Sequence, residues 1–428
     1  MMSSTGRLSK DDSEAEHIII VGGGVVGAAC AYYLSQAGRR VTIIDRGKFG
    51  RACSHGNCGF ICPSHVLPLC RPGVIAKTLM TLFNPYAPFR IKPRFDPSLW
   101  RWLLQFARRC NRTDMIRGGE ARHALLQSSA SLYRQLIEDG QLQDCEFETR
   151  GLLFVFKTQR EMDQFAQLES LVSEEFGVGA VFYDDRRLVA MEPAIKPGMA
   201  GAFYYEEDAH LRPDRLMAAW RDRLVQLGVT IFEECELRGF VNDKGRALAV
   251  VTSTGTMPAD AFIVATGAWS PQWNRALGCR LPVQPGKGIS ITMPRTTCCP
   301  KYPMLLAECC VGVTPFASGY RLGSTMEFTG FDEQINRHRL GLLSRGAKQY
   351  LVEPNCQPIE EEWFGFRPMS CDGVPIIDRS PAMSNVLIAT GHSMLGVSMS
   401  PATGKLVAEM LTGVSPHVDV SAYRLSRF

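Results

Sequence analysis

The 428-residue chain carries almost no net charge: 47 Lys and Arg against 43 Asp and Glu leave +4. That argues against the broad basic surface with which proteins hold nucleic acid. Long unbroken apolar runs are also missing. The longest, Ile18 to Leu34, is interrupted by Gly22, Gly23, Gly24 and Gly27, which fits a strand, a turn and a helix better than a membrane span. No apolar segment follows a basic start, so residues 1–16 read as a flexible tail and not a signal peptide. Repeats, low-complexity tracts and the G-x-S-x-G elbow of a hydrolase are absent from the sequence. Cysteine, by contrast, is plentiful. Fifteen is an odd number, and Cys298/Cys299 and Cys309/Cys310 are adjacent, which predicts reduced thiols in a cytoplasmic protein and no disulfide framework. Cys53, Cys58, Cys62 and Cys70 cluster, but their spacings match neither zinc nor iron–sulfur ligation, so no metal is expected.

What is present is material for a large core. Hydrophobic residues make up 45% of the chain, in a length sufficient for about two to three domains. Residues 17–46 divide into a buried strand from His17 to Val21, a glycine turn, a helix from Val25 to Gln36 and a second strand from Val41 to Asp45. Pro72 to Arg150 reads mostly helical, with Leu99, Trp102, Leu103 and Phe106 on one face. A strand follows at Gly151–Lys157, a helix at Gln159–Glu175 and a strand at Gly201–Tyr205. Pro213 opens a helix striped by Leu216, Trp220, Leu224 and Leu227, and short strands end in Ala261–Ala265. Residues 280–330, dense in Gly and Pro, read as antiparallel sheet. Asp332–Tyr350 reads as helix, and Thr403–Leu411 as the closing helix after short strands. This interleaving predicts an α/β (α+β) chain of two domains, each assembled from separated segments.

Gly22, Gly24 and Gly27 form G-x-G-x-x-G between a strand and a helix. Such glycines permit the tight turn, the approach of a pyrophosphate and close helix packing, and the helix N-terminus attracts the phosphates. Asp45, eighteen residues past Gly27, is placed to accept from ribose hydroxyls and to repel a 2′-phosphate. The motif alone leaves FAD and NAD both open. Two further glycine-rich strand ends, ATGAWS (265–270) and GHSMLGVSMSPATGK (391–405), are more than a single nicotinamide domain needs.

The order GGGVVG, SHGNCGFI, ATGAWS, GFRPMSCDGVPIID, ATGHSMLGVSMSPATGK resembles the D-amino-acid oxidase and glycine oxidase superfamily of FAD enzymes. WRWLLQFARRCN, VTPFASGYRLGSTMEFTG and VSAYRLSRF resemble its D-amino-acid dehydrogenase branch more closely. The resemblance runs from about Ile18 to Phe428, and the 24 residues between Arg367 and Gly391 match glycine-oxidase spacing. It implies a discontinuous Rossmann-like FAD-binding domain (17–75, 205–272 and 355–428) and a substrate domain of mixed sheet plus helices (76–204 and 273–354). The cofactor implied is FAD. Its ADP half would meet Gly22, Gly24, Gly27, Val25, Val26, Asp45 and Arg46, with Leu237 on the adenine side. Ser54 and the backbone of His55, Asn57, Cys58, Gly59 and Phe60 would pass near the pyrophosphate and ring. Thr266 and Gly267 would lie at the second strand end. Gly391, His392, Met394, Leu395, Gly396, Val397 and Ser398 would cover the ring.

The resemblance assigns the substrate carboxylate to Arg367, whose planar fork can fix it bidentately. Two departures matter. Met394 stands where the glycine-oxidase branch has a second arginine, and Val311–Val313 offers no aromatic hydroxyl. Glycine itself is therefore not the expected substrate, and His55 and His210 are the candidates for a further carboxylate donor. The expected reaction is oxidation of a D-amino acid, or a cyclic D-imino acid such as D-proline or hydroxy-D-proline, by hydride transfer to flavin. Electrons would pass to a quinone or other acceptor. Alternatives are a flavin-binding subunit of a multi-chain imino-acid dehydrogenase, or an oxygen-using amine or sarcosine-type oxidase. Asn84 to Cys110, rich in Trp, Phe, Leu and Arg, reads either as a peripheral membrane contact or as an ordinary amphipathic helix.

Overall fold

The computed structural model describes residues 15–81, 87 and 89–428. Most of the expected tail, and the start of the Asn84–Cys110 segment, lie outside the described residues. A six-stranded sheet runs in the order Ile376–Arg379, Val386–Thr390, Ala261–Val264, His17–Val21, Arg40–Ile44, Thr230–Phe232. All its neighbours are parallel except the first pair, which is antiparallel. The alternation of side chains along a strand explains why the central strand is apolar throughout. Ile18 and Ile20 join the core under the helices Val25–Gln36 and Gly396–Thr412, while Ile19 and Val21 join the core under the three-stranded meander Leu237–Pro258.

A second, nine-stranded sheet is mixed. Its path is Glu361–Ser370, Val283–Met293, Gly319–Phe328, Val311–Phe316, Met304–Leu306, Leu152–Phe156, Gly201–Tyr205, Val181–Tyr183, with Phe89–Ile91 beside Gly319–Phe328. The strands between 283 and 328 pair antiparallel, as their composition suggests, but Met304–Leu306 also pairs parallel with Leu152–Phe156. The strand Glu361–Ser370 lies in this sheet although the expected division assigns it to the nucleotide-binding segments. It pairs along its length with Val283–Met293, and so carries Arg367 to the boundary between the two sheets.

Three elements differ from the sequence reading. Pro72–Arg150 contains the strand Phe89–Ile91 between helices Val74–Thr81, Pro97–Arg108 and Arg112–Glu138. The helix expected from Asp332 starts at Arg337, because Asn336 caps it by accepting from the N–H groups of His338 and Arg339. The closing helix begins at Gly396, well before Thr403. Pro401 inside it argues against helix on sequence grounds. Tertiary contacts repair the break: the Val397 carbonyl, which loses its usual N–H partner at Pro401, accepts from Tyr133 Oη at 2.8 Å and Ser400 Oγ at 3.1 Å. Ala402 N–H donates to Ser129 Oγ at 3.0 Å. Tyr133 and Ser129 belong to the helix Arg112–Glu138, so the repair comes from an element far away in sequence.

No disulfide joins any of the fifteen cysteines, and no group of three or more potential metal ligands occurs among the described residues. No described helix is long and apolar enough to cross a membrane.

Candidate active site

The strand His17–Val21 ends at Gly22, whose φ of +116° suits only glycine. A Cβ there would lie 2.5 Å from the Ala265 carbonyl oxygen, and one on Gly27 would lie 1.9 Å from the Gly22 oxygen. These two glycines therefore serve close packing. Gly24 differs: only Ser54 Oγ, at 3.7 Å, comes within 4 Å of its Cβ position. Gly24 at the N-cap has no side chain to cap the helix that follows, and the first turn of that helix has no acid. Val25 N–H donates to Ser54 Oγ at 3.1 Å. The positive end of the helix dipole thus faces a cavity over bare backbone.

Asp45 lies just past the second strand. Its Oδ2 accepts from Gly23 N–H at 2.7 Å and its Oδ1 from Gly47 N–H at 2.8 Å. The carboxylate therefore braces the glycine turn while also lining the cavity, a bracing role its spacing did not reveal. Arg46 places its guanidinium 3.8 Å above the Trp269 ring, and both residues line the same cavity.

The cavity has a volume of about 1170 Å³, counting the solvent at its mouth. Of the residues that the resemblance assigns to the cofactor, Gly22, Gly24, Val25, Val26, Ser54, Asn57, Leu237, Thr266, Gly267, His392, Met394, Gly396 and Val397 line it. Two strand ends are tied together at its wall. Ser270 Oγ donates to Thr390 Oγ1 at 2.8 Å, and Thr390 Oγ1 donates to the Gly267 oxygen at 3.0 Å. The helix Gly396–Thr412 brings a second N-terminus, also without a side-chain cap or an acid in its first turn. His392 is buried with Nε2 3.0 Å from Thr403 Oγ1, and burial pushes its pKa down to about 3.

Arg367 reaches the cavity from the nine-stranded sheet. Its guanidinium lies over Gly288, where a Cβ would collide with Cζ at 2.3 Å. Nη1 donates to the Thr325 oxygen at 2.6 Å. Thr325, at φ +58°, lies at an irregularity in strand pairing opposite Lys287–Ile289. Among the described residues no carboxylate pairs with Arg367, and burial lowers its pKa. A half-buried cation without a counter-ion among the described residues, open to a cavity, is a site for a carboxylate.

The two histidines lie elsewhere. His55 Nε2 is 2.7 Å from Glu361 Oε1 and 3.2 Å from Arg51 Nη1. His210 sits in a short strand paired with Phe60–Ile61. Its Nε2 is 2.9 Å from the Pro315 oxygen, and burial drives its pKa to about 4. Neither lines the cavity with Arg367: a carboxylate and a carbonyl already hold their rings.

Gly27, Cys58, Gly59, Phe60, Gly391, Leu395 and Ser398 stand behind the wall and not in it. Cys58 Sγ occupies the space above Gly312 and Gly323, and a Cβ on Gly59 would meet the Leu211 oxygen at 1.9 Å. Ser398 Oγ donates to the Phe60 oxygen at 2.6 Å. The wall also contains residues that the sequence reading did not assign to the cofactor: Cys53, Glu236, Trp269, Gln272, Phe366 and Ser393. Trp269 and Phe366 lie inside recognised motifs and could have been found from them. Glu236 carries no local signal.

The family model for FAD dependent oxidoreductases (DAO) matches residues 17–410. A D-amino acid dehydrogenase of Methylobacterium nodulans is 32% identical over 424 residues, covering 95% of this chain and 98% of that protein. One from Granulibacter bethesdensis is 30% identical over 421 residues, covering 96% and 99%. Among solved structures, glycine oxidase from Geobacillus kaustophilus superposes with a TM-score of 0.78 at 22% identity, covering 97% of this chain and 100% of that one. L-proline dehydrogenase from P. horikoshii gives 0.71 at 20%, covering 97% and 98%. These two likenesses concern the fold.

The residues present suit FAD. Two helix N-termini without first-turn acids and a glycine without a Cβ can accept a pyrophosphate at the cavity wall. The chain belongs to the DAO family of FAD-dependent oxidoreductases, and it is an FAD-dependent enzyme.

Proposed function

We propose that the chain oxidises the CH–NH bond of a D-amino acid, or of a cyclic D-imino acid such as D-proline, and passes the electrons to a quinone or other acceptor. The observation that carries this reading is Arg367: a guanidinium without a carboxylate partner among the described residues, opening onto the cavity that also receives both helix N-termini. The names of the relatives support a D-amino acid as the substrate class.

In this reading Gly24, Val25 and Val26 hold the pyrophosphate. Asp45, Arg46 and Leu237 lie along the ADP half, and the helix end at Gly396–Val397 lies by the ring. Bound FAD supplies a two-electron acceptor for the hydride that leaves Cα. Arg367 holds the substrate carboxylate bidentately and so fixes the direction of the Cα–H bond. Its bond to Thr325 limits the rotation of the fork. Among the described residues that line the cavity, the histidine His392 is too weakly basic to take the amine proton, with a pKa near 3 and its Nε2 against Thr403. The substrate amine therefore loses its proton by desolvation as water is excluded. The imine product then hydrolyses to a 2-oxo acid and ammonia, or persists when cyclic.

In this scheme the six-stranded unit holds the cofactor and the nine-stranded sheet presents Arg367 to it, whereas the division read from sequence groups Arg367 with the cofactor segments. Exposed Phe95, Trp100 and Leu104, near Arg101 and Arg108, support a peripheral contact with a quinone-bearing membrane. Flotation with lipid vesicles tests that contact. The main test is anaerobic bleaching of the purified flavoprotein by a panel of D- and L-amino acids, prolines and N-methyl amino acids. Rapid bleaching by D-amino or cyclic imino acids is expected, and reduction only by L-enantiomers would overturn the reading. Comparing oxygen consumption with dye reduction then separates oxidase from dehydrogenase.

A further inference from the structure

The loop from His55 to Gly59 has a regularity that the glycine fingerprint does not require. Each of its successive carbonyls is taken by a donor on the side away from the cavity. Arg321 Nη1 donates to the His55 oxygen at 3.3 Å and the Asn57 oxygen at 2.7 Å. Ser290 Oγ donates to the Gly56 oxygen at 2.8 Å, and Thr314 Oγ1 to the Cys58 oxygen at 2.7 Å. Leu211 N–H donates to the Gly59 oxygen at 2.9 Å. Arg321, Ser290 and Thr314 belong to the nine-stranded sheet and are buried, with exposures of 0%, 1% and 0%. Arg321 is held in turn, its Nε donating to Thr292 Oγ1 at 2.9 Å and its Nη2 to Asp214 Oδ1 at 3.2 Å.

A trans peptide points each N–H opposite to the carbonyl before it, and the bonds of this loop are trans. With the carbonyls of His55, Gly56 and Asn57 turned to the sheet, the amides of Gly56, Asn57 and Cys58 point the other way. On that side Cys53, Ser54 and Asn57 line the cavity. Among the described residues none of the three amides has an acceptor. The loop is also pressed flat from the sheet side: a Cβ on Gly56 would lie 2.2 Å from the Trp363 ring.

We propose that Arg321 and Ser290 are positioning residues for the flavin: by clamping the loop carbonyls to the sheet, they present the amides of Gly56 and Asn57 as fixed donors to the ring system. They touch neither substrate nor cofactor and act through the backbone. Donors fixed in advance favour the form of the ring that carries more negative charge, which is the reduced one. Loosening the clamp therefore weakens the reduced cofactor more than the oxidised one and lowers the midpoint potential.

The test uses the FAD-loaded protein, with potentials measured by equilibration against dyes, so no substrate is needed. Ser290→Ala removes one clamp and keeps nearly the same shape. It is expected to cost a three- to tenfold preference for the reduced cofactor, a two-electron midpoint about 15–30 mV more negative, together with a shifted flavin spectrum. Val313→Ala is the control: its side chain packs in the core of the nine-stranded sheet away from the loop, so it lowers the unfolding midpoint without moving the potential. An unchanged potential in Ser290→Ala, or an equal shift in Val313→Ala, would overturn the proposal.

Discussion

Replacing Arg367 by lysine tests the substrate reading most directly. The arginine has one N–H spent on the Thr325 oxygen at 2.6 Å and keeps the rest of its fork for the cavity. Lysine keeps the charge but loses the bidentate geometry, and it cannot hold Thr325 and a carboxylate in the same arrangement. One charge-assisted hydrogen bond contributes about 1.5–3 kcal/mol. The loss of orientation comes on top of that. A penalty of about 2–3 kcal/mol corresponds to roughly 30- to 150-fold in kcat/KM. The assay is stopped-flow anaerobic bleaching over a range of substrate concentrations, which separates substrate affinity from the limiting rate of reduction. Arg367→Lys should retain its flavin and its unfolding midpoint within a few degrees, while substrate affinity carries most of the loss. If substrate affinity stays within about threefold of the parent, Arg367 does not hold the carboxylate and the assignment fails.

Further outcomes follow from the same geometry. Met394→Arg adds a second cation to the cavity wall, so reduction by glycine should rise about tenfold relative to reduction by D-amino acids with large apolar side chains, read as relative kcat/KM. Gly404→Ala would put a Cβ 2.5 Å from the Ala29 backbone, forcing apart the two helices whose N-termini face the cavity. It should cost about 1–3 kcal/mol or more and raise the FAD dissociation constant, measured by flavin fluorescence. Asp208→Asn addresses a buried carboxyl whose pKa burial raises to about 7, against the opposing pull of the Ser64 hydroxyl and N–H. A raised carboxyl pKa means that the folded state keeps a proton the unfolded chain releases near pH 4, so this group's contribution to stability falls as pH rises from about 4 to 7. The asparagine variant should lack that slope and gain stability over the parent at about pH 8, and identical slopes in thermal melts would refute the assignment.

Much of the cofactor unit is legible because its signals are local. Gly22 needs a positive φ and Gly27 needs a missing Cβ within a few residues of where they stand, and the apolar run Ile18–Ile20 suits a strand buried on both faces. The substrate side is less legible. Strand Glu361–Ser370 reads as part of the nucleotide unit from its position in the chain, yet it pairs with Val283–Met293. His55 and His210 are plausible ligands by residue type, but their rings are spent on Glu361 and Pro315.

By itself the sequence determined the βαβ turn, which depends on residue type at short range, while FAD and the expected carboxylate role of Arg367 came from its resemblance to a known family. Only the tertiary structure decided that Pro401 lies within a helix, because its broken bond is satisfied by Tyr133. Only it, too, decided that Arg321 grips the carbonyls of His55 and Asn57. Hydrogen bonds between residues more than two hundred positions apart are set by how the sheets pack, and no local pattern announces them.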